Sequence, residues 1–267
     1  MSLSINQLVE TLDKLYPFRT AMEWDNIGVS VGETNIKVKN ILVSLDLTNE
    51  VIDEAIEQNV NLIITHHPLI FKPLKNITNE TALGNRIIKL IKNEICSCAI
   101  HTNLDVSDNG TNDILFETLE LCNKQPLFKS CENEPTLGRV GSLKKEISFL
   151  QFVSHVKEKL DLPHLTFVGN DDLVTRIALC TGSSSNPKCF LSAKEAGCDV
   201  YISGDLTYHN AQYAEDIGLK LIDATHFGTE VIALKSVVNA LKNELALKHG
   251  TIGVIESRSN MNILKYL

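Results

Sequence analysis

Apolar runs that alternate with amphipathic helical segments constrain the fold of this chain more than any other feature. Residues 40–48 (NILVSLDLT) have the composition of a buried strand, residues 49–59 carry apolar side chains at helical spacing, and residues 60–65 form a second strand-like run. The alternation continues through strand-like runs at 95–100, 175–184, 198–203 and 219–224 and helical segments at 4–15, 80–94, 148–162, 187–197, 210–218 and 229–246. Strands that alternate with helices predict an α/β fold, with mainly parallel or mixed sheets flanked by helices.

Two parts of the chain share one order of elements. Residues 41–67 and 177–205 each contain a strand, a polar turn, a helix, an apolar strand and a polar tip. Each part is followed by a helix, another apolar strand and a His-x-x-x-acid sequence, which runs from His101 to Asp105 and from His226 to Glu230. This internal repeat predicts two related α/β lobes.

A break between the lobes is expected near residues 125–143, where prolines and glycines interrupt the regular patterns. We therefore expect residues 1–126 with 227–267 to form the first lobe and residues 127–226 to form the second. The final amphipathic helix is expected to pack on its own sheet, although its apolar face could also serve another subunit.

Charge and cysteine content exclude several classes of protein. The chain has 267 residues, with 25 Lys and Arg against 33 Asp and Glu, so its net charge is −8 and nucleic acid is an unlikely partner. The longest uncharged stretch, residues 58–71, contains two histidines and is shorter than the roughly 18 apolar residues of a membrane span. Seven irregularly spaced cysteines and the lack of a recognisable secretory signal predict reduced thiols in a cytoplasmic protein.

Histidines and carboxylates follow the predicted strands in three clusters, at residues 65–68, 101–105 and 226–230. A single histidine after a strand is usually capped or solvated, but four of the eight histidines fall in these clusters, each beside a second histidine or a carboxylate. Because strand ends of open α/β sheets meet in a crevice, such side chains can converge there. Imidazole and carboxylate ligands suit Zn, Mn, Fe, Co or Ni.

The number of candidate ligands exceeds what one tetrahedral zinc ion uses, which indicates two divalent ions. A carboxylate and a water could bridge the ions, and the lowered pKa of that water would make it a nucleophile. Two neighbouring features stay open. His209, close to Asp205, could support a ligand or face a substrate, and the segment CTGSSSNP (180–187) could cradle a phosphate or form a plain turn.

Five motifs occur in order over nearly the whole chain: EWDNIGVSVGE, ITHHPLIFKPL, HTNLD, SGDLTYH and LIDATHFGTE. Together they resemble the NIF-three-like (YbgI-type) family of dinuclear metal proteins, also called GTP cyclohydrolase I type 2 homologues. The last motif of that family usually contains Gly-His-Tyr, whereas this chain has Thr225-His226-Phe227. Residues 126–175 leave no room for the small domain that longer members carry, so the chain resembles the short form.

The resemblance implies a metal pair in the cleft between two lobes and a toroidal homohexamer. It also implies the metal ligands, which are His66, His67, Asp105, His226 and Glu230. His101 would lie beside the ions, as a further ligand or as a catalytic proton shuttle.

Two functions are consistent with these features. The first is a metal-dependent hydrolase of an unidentified small molecule, which the family name suggests to be a purine nucleotide or a pterin-like ring. The alternative is a non-catalytic, metal-dependent assembly or regulatory interaction protein. A surplus of ligands over the needs of one structural ion favours the hydrolase.

Overall fold

The structure is a computed structural model that describes residues 3–128, 136–246 and 252–265. In chain order its strands are β1 (Gly28–Val31), β2 (Asn40–Ser44), β3 (Leu62–Thr65), β4 (Cys96–Ala99), β5 (Cys122–Pro126), β6 (Arg139–Ser148), β7 (Thr166–Val168), β8 (Leu173–Leu179), β9 (Val200–Ser203), β10 (Lys220–Asp223) and β11 (Gly253–Glu256). Its helices are α1 (Ile5–Leu15), α2 (Asn49–Glu57), α3 (Ala82–Lys92), α4 (Thr102–Val106), α5 (Thr111–Thr118), α6 (Phe149–Lys159), α7 (Pro187–Glu195), α8 (Tyr208–Asp216), α9 (His226–Glu230) and α10 (Leu234–Ala246). Short 3-10 turns occupy Phe18–Thr20 and Val231–Ala233.

The chain divides into two compact units, Met1–Ser107 with Leu234–Leu267, and Asp108–Ala233. The boundary expected at 126/127 therefore differs from this division. It falls inside the second unit because β5, which precedes it, pairs antiparallel with β6. The boundary expected at 226/227 likewise falls inside α9, which belongs to the second unit as a whole.

The first unit is built on a five-stranded sheet in the order β1-β4-β3-β2-β11. β11, β2, β3 and β4 are parallel, and β1 joins β4 antiparallel at the edge. All four residues of β3 are buried, as expected for a central parallel strand whose two faces are covered. α2 and α3 contribute Ile52, Ile87 and Leu90 to a core that also contains Ile63 of β3. α10 contacts β11 and β2 of this sheet, as expected for the final helix.

The second unit is built on a six-stranded mixed sheet in the order β5-β6-β8-β9-β10-β7. β8, β9 and β10 are parallel, while β5, β6 and β7 join antiparallel. Successive residues of a strand point to opposite faces, and here they enter two different cores. Ile177 and Leu179 pack with α5 and α6, whereas Ala178 packs with Phe190 of α7.

The internal repeat predicted from the sequence is present in both units. β2-α2-β3-α3-β4 and β8-α7-β9-α8-β10 each place three parallel strands side by side, followed by the five-residue helices α4 and α9. In both units the last of the three strands carries an antiparallel edge strand, β1 on β4 and β7 on β10. The predicted α/β class, with two related mixed sheets flanked by helices, is confirmed.

Several elements differ from the expectations. Residues 122–126 and 139–148 pair as β5 and β6, where a broken stretch was expected. The helix expected over 229–246 is divided by the 3-10 turn that separates α9 from α10.

Within the described ranges no helix has both the length and the apolar character needed to cross a membrane. The six described cysteines are free thiols, and Cys131 and His249 lie outside the described residues.

Candidate metal centre

Three loops of the first unit leave the sheet at the same level. Ser44, Thr65 and Ala99 end β2, β3 and β4 and are paired with one another in register. Because these strands are parallel, the residues that follow them emerge at one edge of the sheet. This register is the reason that histidines far apart in the sequence can meet.

His66, His67 and His101 form a cluster at this edge. Each offers one ring nitrogen, and these nitrogens lie within 4.8 Å of one another. The ring centroids are 4.9 Å apart for His66 and His67 and 5.1 Å apart for His66 and His101. A cluster of this size can present several nitrogen ligands to one ion.

The hydrogen bond of His66 determines which nitrogen it can offer. Its Nδ1 lies 3.1 Å from the carbonyl oxygen of Ile100. A carbonyl oxygen only accepts hydrogen bonds, so Nδ1 carries the proton and donates it. The lone pair is therefore on Nε2, which is the protonation state that a metal ligand needs. The side chain is 1% exposed, so the ring is held by packing as well.

The other two histidines are oriented in the same way by carboxylates. Nδ1 of His67 lies 2.9 Å from Oδ1 of Asp46, and Nδ1 of His101 lies 2.8 Å from Oδ1 of Asp25. An ionised carboxylate only accepts, so Nδ1 carries a proton in both rings and Nε2 is the nitrogen left to face an ion. A carboxylate or carbonyl behind each imidazole is the arrangement typical of metal-binding histidines.

Asp25 is ionised because of the groups around it. Burial raises the pKa of its carboxyl, but hydrogen bonds from His101 and from the hydroxyl and backbone N–H of Thr102 outweigh this effect and lower the pKa to about 2. Its side chain is fully buried. The Asp25 carboxylate thus fixes both the imidazole of His101 and the start of α4.

Asp105 adds an oxygen ligand to this cluster. It lies in α4, and its Oδ1 is 3.6 Å from Nε2 of His66. The residue is 8% exposed, and its backbone N–H donates to the carbonyl of His101. The short helix therefore turns the carboxylate towards the nitrogen that His66 presents.

His226 and Glu230 form a second group of ligands in the second unit. They lie four residues apart in α9, and Nε2 of His226 is 3.1 Å from Oε2 of Glu230, which is 4% exposed. Nδ1 of His226 lies 2.8 Å from Oδ2 of Asp205, so this imidazole is also held through Nδ1. His209 instead has its Nδ1 3.3 Å from Oε1 of Gln212. Asp205, rather than His209, orients the predicted ligand.

The loop CTGSSSNP packs tightly against Glu230. Gly182 has a φ of +66°, and a Cβ at this position would collide with Oε1 of Glu230. Its N–H donates to Oγ1 of Thr229, that of Thr181 to Asn112 and that of Ser184 to Ser203. Because these three N–H groups bond within the protein, the loop acts here as a turn that supports the ligand pair.

Thr225, directly before His226, has an unusual backbone. Its φ of 63° and ψ of 149° lie in a region that β-branched residues rarely adopt. The strain is compensated by two hydrogen bonds, from its N–H to Asp223 and from the N–H of Gly228 to its hydroxyl. The position at which this chain departs from the Gly-His-Tyr pattern is thus one where glycine would relieve strain.

The donor set fits borderline divalent ions. All four imidazoles of the two groups have Nδ1 occupied by an oxygen acceptor, and carboxylates accompany them in both units. Neutral nitrogen with carboxylate oxygen suits Zn, Mn, Fe, Co and Ni better than it suits Ca or Mg, which prefer all-oxygen sites.

The three orienting carboxylates, those of Asp25, Asp46 and Asp205, were not assigned this role from the sequence. The available signal was that Asp46 and Asp205 each lie two residues after the end of a strand.

Comparisons with known proteins identify the family of this chain. A family model described as Duf34/NIF3 (NGG1p interacting factor 3) matches residues 3–262. A Clostridium perfringens protein named GTP cyclohydrolase 1 type 2 homolog is 36% identical over 245 residues, covering 91% of this chain and 93% of that protein. A Clostridium acetobutylicum protein of the same name is 34% identical over 269 residues, covering 100% of both. The crystal structure of a Bacillus cereus protein related to NIF3 matches with a TM-score of 0.94 at 27% identity, covering 100% of both chains. The chain therefore belongs to the Duf34/NIF3 family, as the motifs indicated.

Proposed function

We propose that this protein binds two divalent metal ions through His66, His67, Asp105, His226 and Glu230 and hydrolyses a small molecule. The observation that carries the proposal is the common state of the imidazoles, in which Nδ1 is held by an acceptor and Nε2 is presented. A histidine cluster that merely stabilised the fold would have no need of an oxygen acceptor behind Nδ1 at every position.

The bound ions would lower the pKa of a coordinated water and so supply a nucleophile at neutral pH. The protein's own residues hold the ligands in place and manage protons. His101, with Nδ1 bound to the buried Asp25, can take up or release a proton only at Nε2. We propose that His101 acts as a proton shuttle at that atom.

We take the substrate class from the names of the relatives. Two of them are named as homologues of GTP cyclohydrolase 1 type 2, which points to a purine nucleotide or a similar ring. The net charge of −8 gives no independent support for a polyanionic substrate. A screen should therefore include cyclic amides and phosphoesters as well as nucleotides.

Metal content tests the proposal. Wild-type protein purified without chelator or nickel resin should contain about two divalent ions per chain by plasma mass spectrometry. The double variants His66→Ala/Asp105→Ala and His226→Ala/Glu230→Ala should both lose metal. His209→Ala, which removes an exposed imidazole bonded to Gln212, should keep the full content. No metal in the wild type, or unchanged metal in the double variants, would exclude the proposed centre.

The family description, an interacting factor, favours one alternative, in which the ions hold an assembly together without catalysis. Asp105→Ala separates the two functions. A catalytic centre should lose turnover while the protein still folds and melts only moderately lower, as it does on loss of any bound ligand. A structural centre should leave the variant largely unfolded, because metal-binding energy is then folding energy.

A further inference from the structure

Two exposed aromatic side chains lie beside the histidine cluster of the first unit. Trp24 is 60% exposed and Phe71 is 49% exposed. Their ring centroids are 5.8 Å apart at an interplanar angle of 64°, an edge-to-face pair. The ring of His101 lies 6.1 Å from that of Trp24 and 6.5 Å from that of Phe71. A molecule resting on this pair would thus be within reach of the proposed ligands.

The loop that carries Trp24 is fixed by its immediate neighbours. Asp25 turns inward, where its carboxylate accepts hydrogen bonds from His101 and Thr102. The N–H of Met22 donates to the hydroxyl of the same threonine, 3.0 Å away. The indole is therefore the outward-facing part of a loop whose next residue is anchored in the centre.

The loop that carries Phe71 is fixed as well. Leu69 and Ile70 pack against the core of the first unit. The side-chain amide of Asn26 donates to the carbonyl of Ile70, which ties the two aromatic loops together. Trp24 is followed by the anchored Asp25, and Phe71 is preceded by the anchored Ile70. The two rings are therefore presented at a defined separation.

We infer that Trp24 and Phe71 bind the flat heteroaromatic ring of the substrate and position it over the metal centre. Aromatic side chains stack on such rings irrespective of their substituents. The edge-to-face pair offers one ring face and one ring edge, against which a planar group can stack. The inference rests on the proposed function and assigns its substrate a planar ring.

The single tryptophan makes the inference directly measurable. Trp24 is the only tryptophan in the chain, so the intrinsic indole fluorescence reports this site alone. Guanosine serves as a flat probe, and ribose serves as a matched probe without the ring. We expect saturable quenching by guanosine and none by ribose, in metal-free and in metal-loaded protein alike.

Variants of Phe71 keep Trp24 as the fluorescent reporter and change the ring that packs beside it. Phe71→Ala should raise the Kd for guanosine about tenfold, the effect of one lost stacking contact. Phe71→Tyr, which keeps a ring, should restore the affinity. Phe167→Ala is the matched control, because Phe167 is 42% exposed but contacts Phe149 instead of the histidines.

Three results would overturn the inference. The first is quenching by ribose equal to that by guanosine, and the second is an unchanged Kd for guanosine in Phe71→Ala. The third is protection of Trp24 from quenching by acrylamide in the free protein, because another copy of the chain would then cover the pair. Failure of the metal proposal gives a different result, since metal would then be absent while guanosine still quenches Trp24 and depends on Phe71.

Discussion

At the level of single residues, Asp25 accepts three hydrogen bonds through its carboxylate in the candidate centre. One carboxylate oxygen accepts from Nδ1 of His101, and the other accepts from the N–H and hydroxyl of Thr102. An amide has only one acceptor oxygen, so Asp25→Asn must turn an N–H group towards one of these donors.

We expect Asp25→Asn to lower the affinity for Zn²⁺ about 10- to 100-fold, the usual cost of losing a carboxylate behind a metal-binding imidazole. Competition with a chromogenic chelator measures this affinity. Asp53→Asn is the control, because Asp53 is an exposed acid paired with Lys89. Equal affinity in Asp25→Asn and wild type would show that the imidazole needs no carboxylate partner.

At the level of elements, the C-terminal segment depends on one buried carboxylate. β11 joins the edge of the first sheet beside β2, and the residues after it fold over α2. The carboxylate of Glu54, which is 3% exposed, accepts from the hydroxyl of Ser257 and from the backbone N–H groups of Arg258 and Ser259. Glu54 therefore fixes the segment that follows β11.

We expect Glu54→Gln to lower the free energy of unfolding by about 2 kcal/mol, a typical value for hydrogen bonds to a charged group. Urea denaturation measures it. Glu57→Gln is the control, since the pair that Glu57 makes with Arg258 is exposed and exposed pairs contribute little. Equal stability of the two variants would contradict the assigned role.

The same carboxylate predicts a pH dependence. Burial raises the pKa of Glu54, but the hydrogen bonds from Ser257, Arg258 and Ser259 outweigh burial and lower the pKa below its ordinary value of 4.5. A carboxyl whose pKa is lowered by folding stabilises the protein fully above that ordinary value and loses the contribution as pH falls below it. The stability difference between wild type and Glu54→Gln should thus be largest at neutral pH and shrink below pH 4.5.

At the level of the whole molecule, removing the metal ions with a chelator tests whether the assembly of the chain depends on them. We propose a homohexamer from the family resemblance, so light scattering should give about six times the chain mass of 29.6 kDa. If the ions are catalytic, EDTA should leave this mass unchanged. It should still lower the melting temperature, because metal present at a hundredfold excess over its Kd stabilises the fold by about 2.7 kcal/mol. Dissociation on chelation would favour the assembly function.

The amino-acid sequence by itself determined the α/β class, the internal repeat and the positions of the candidate ligands. These depend on local periodicity and on which residue types directly follow a strand, as His66 follows β3 and His226 follows β10 after two intervening residues. Such features need no knowledge of distant partners, because strand and helix periods are properties of neighbouring residues.

Only the tertiary structure decided which groups stand behind the ligands and where the units divide. Asp25 and His101 are 76 positions apart, and the pairing of β5 with β6 joins segments on either side of the stretch that contains Pro135 and Gly138. The need for glycine at position 182 likewise becomes clear only from its close contact with Glu230, which lies far from it in the sequence. Contacts of this kind depend on strand register and on side-chain packing between remote parts of the chain, and neither leaves a periodic trace in the sequence.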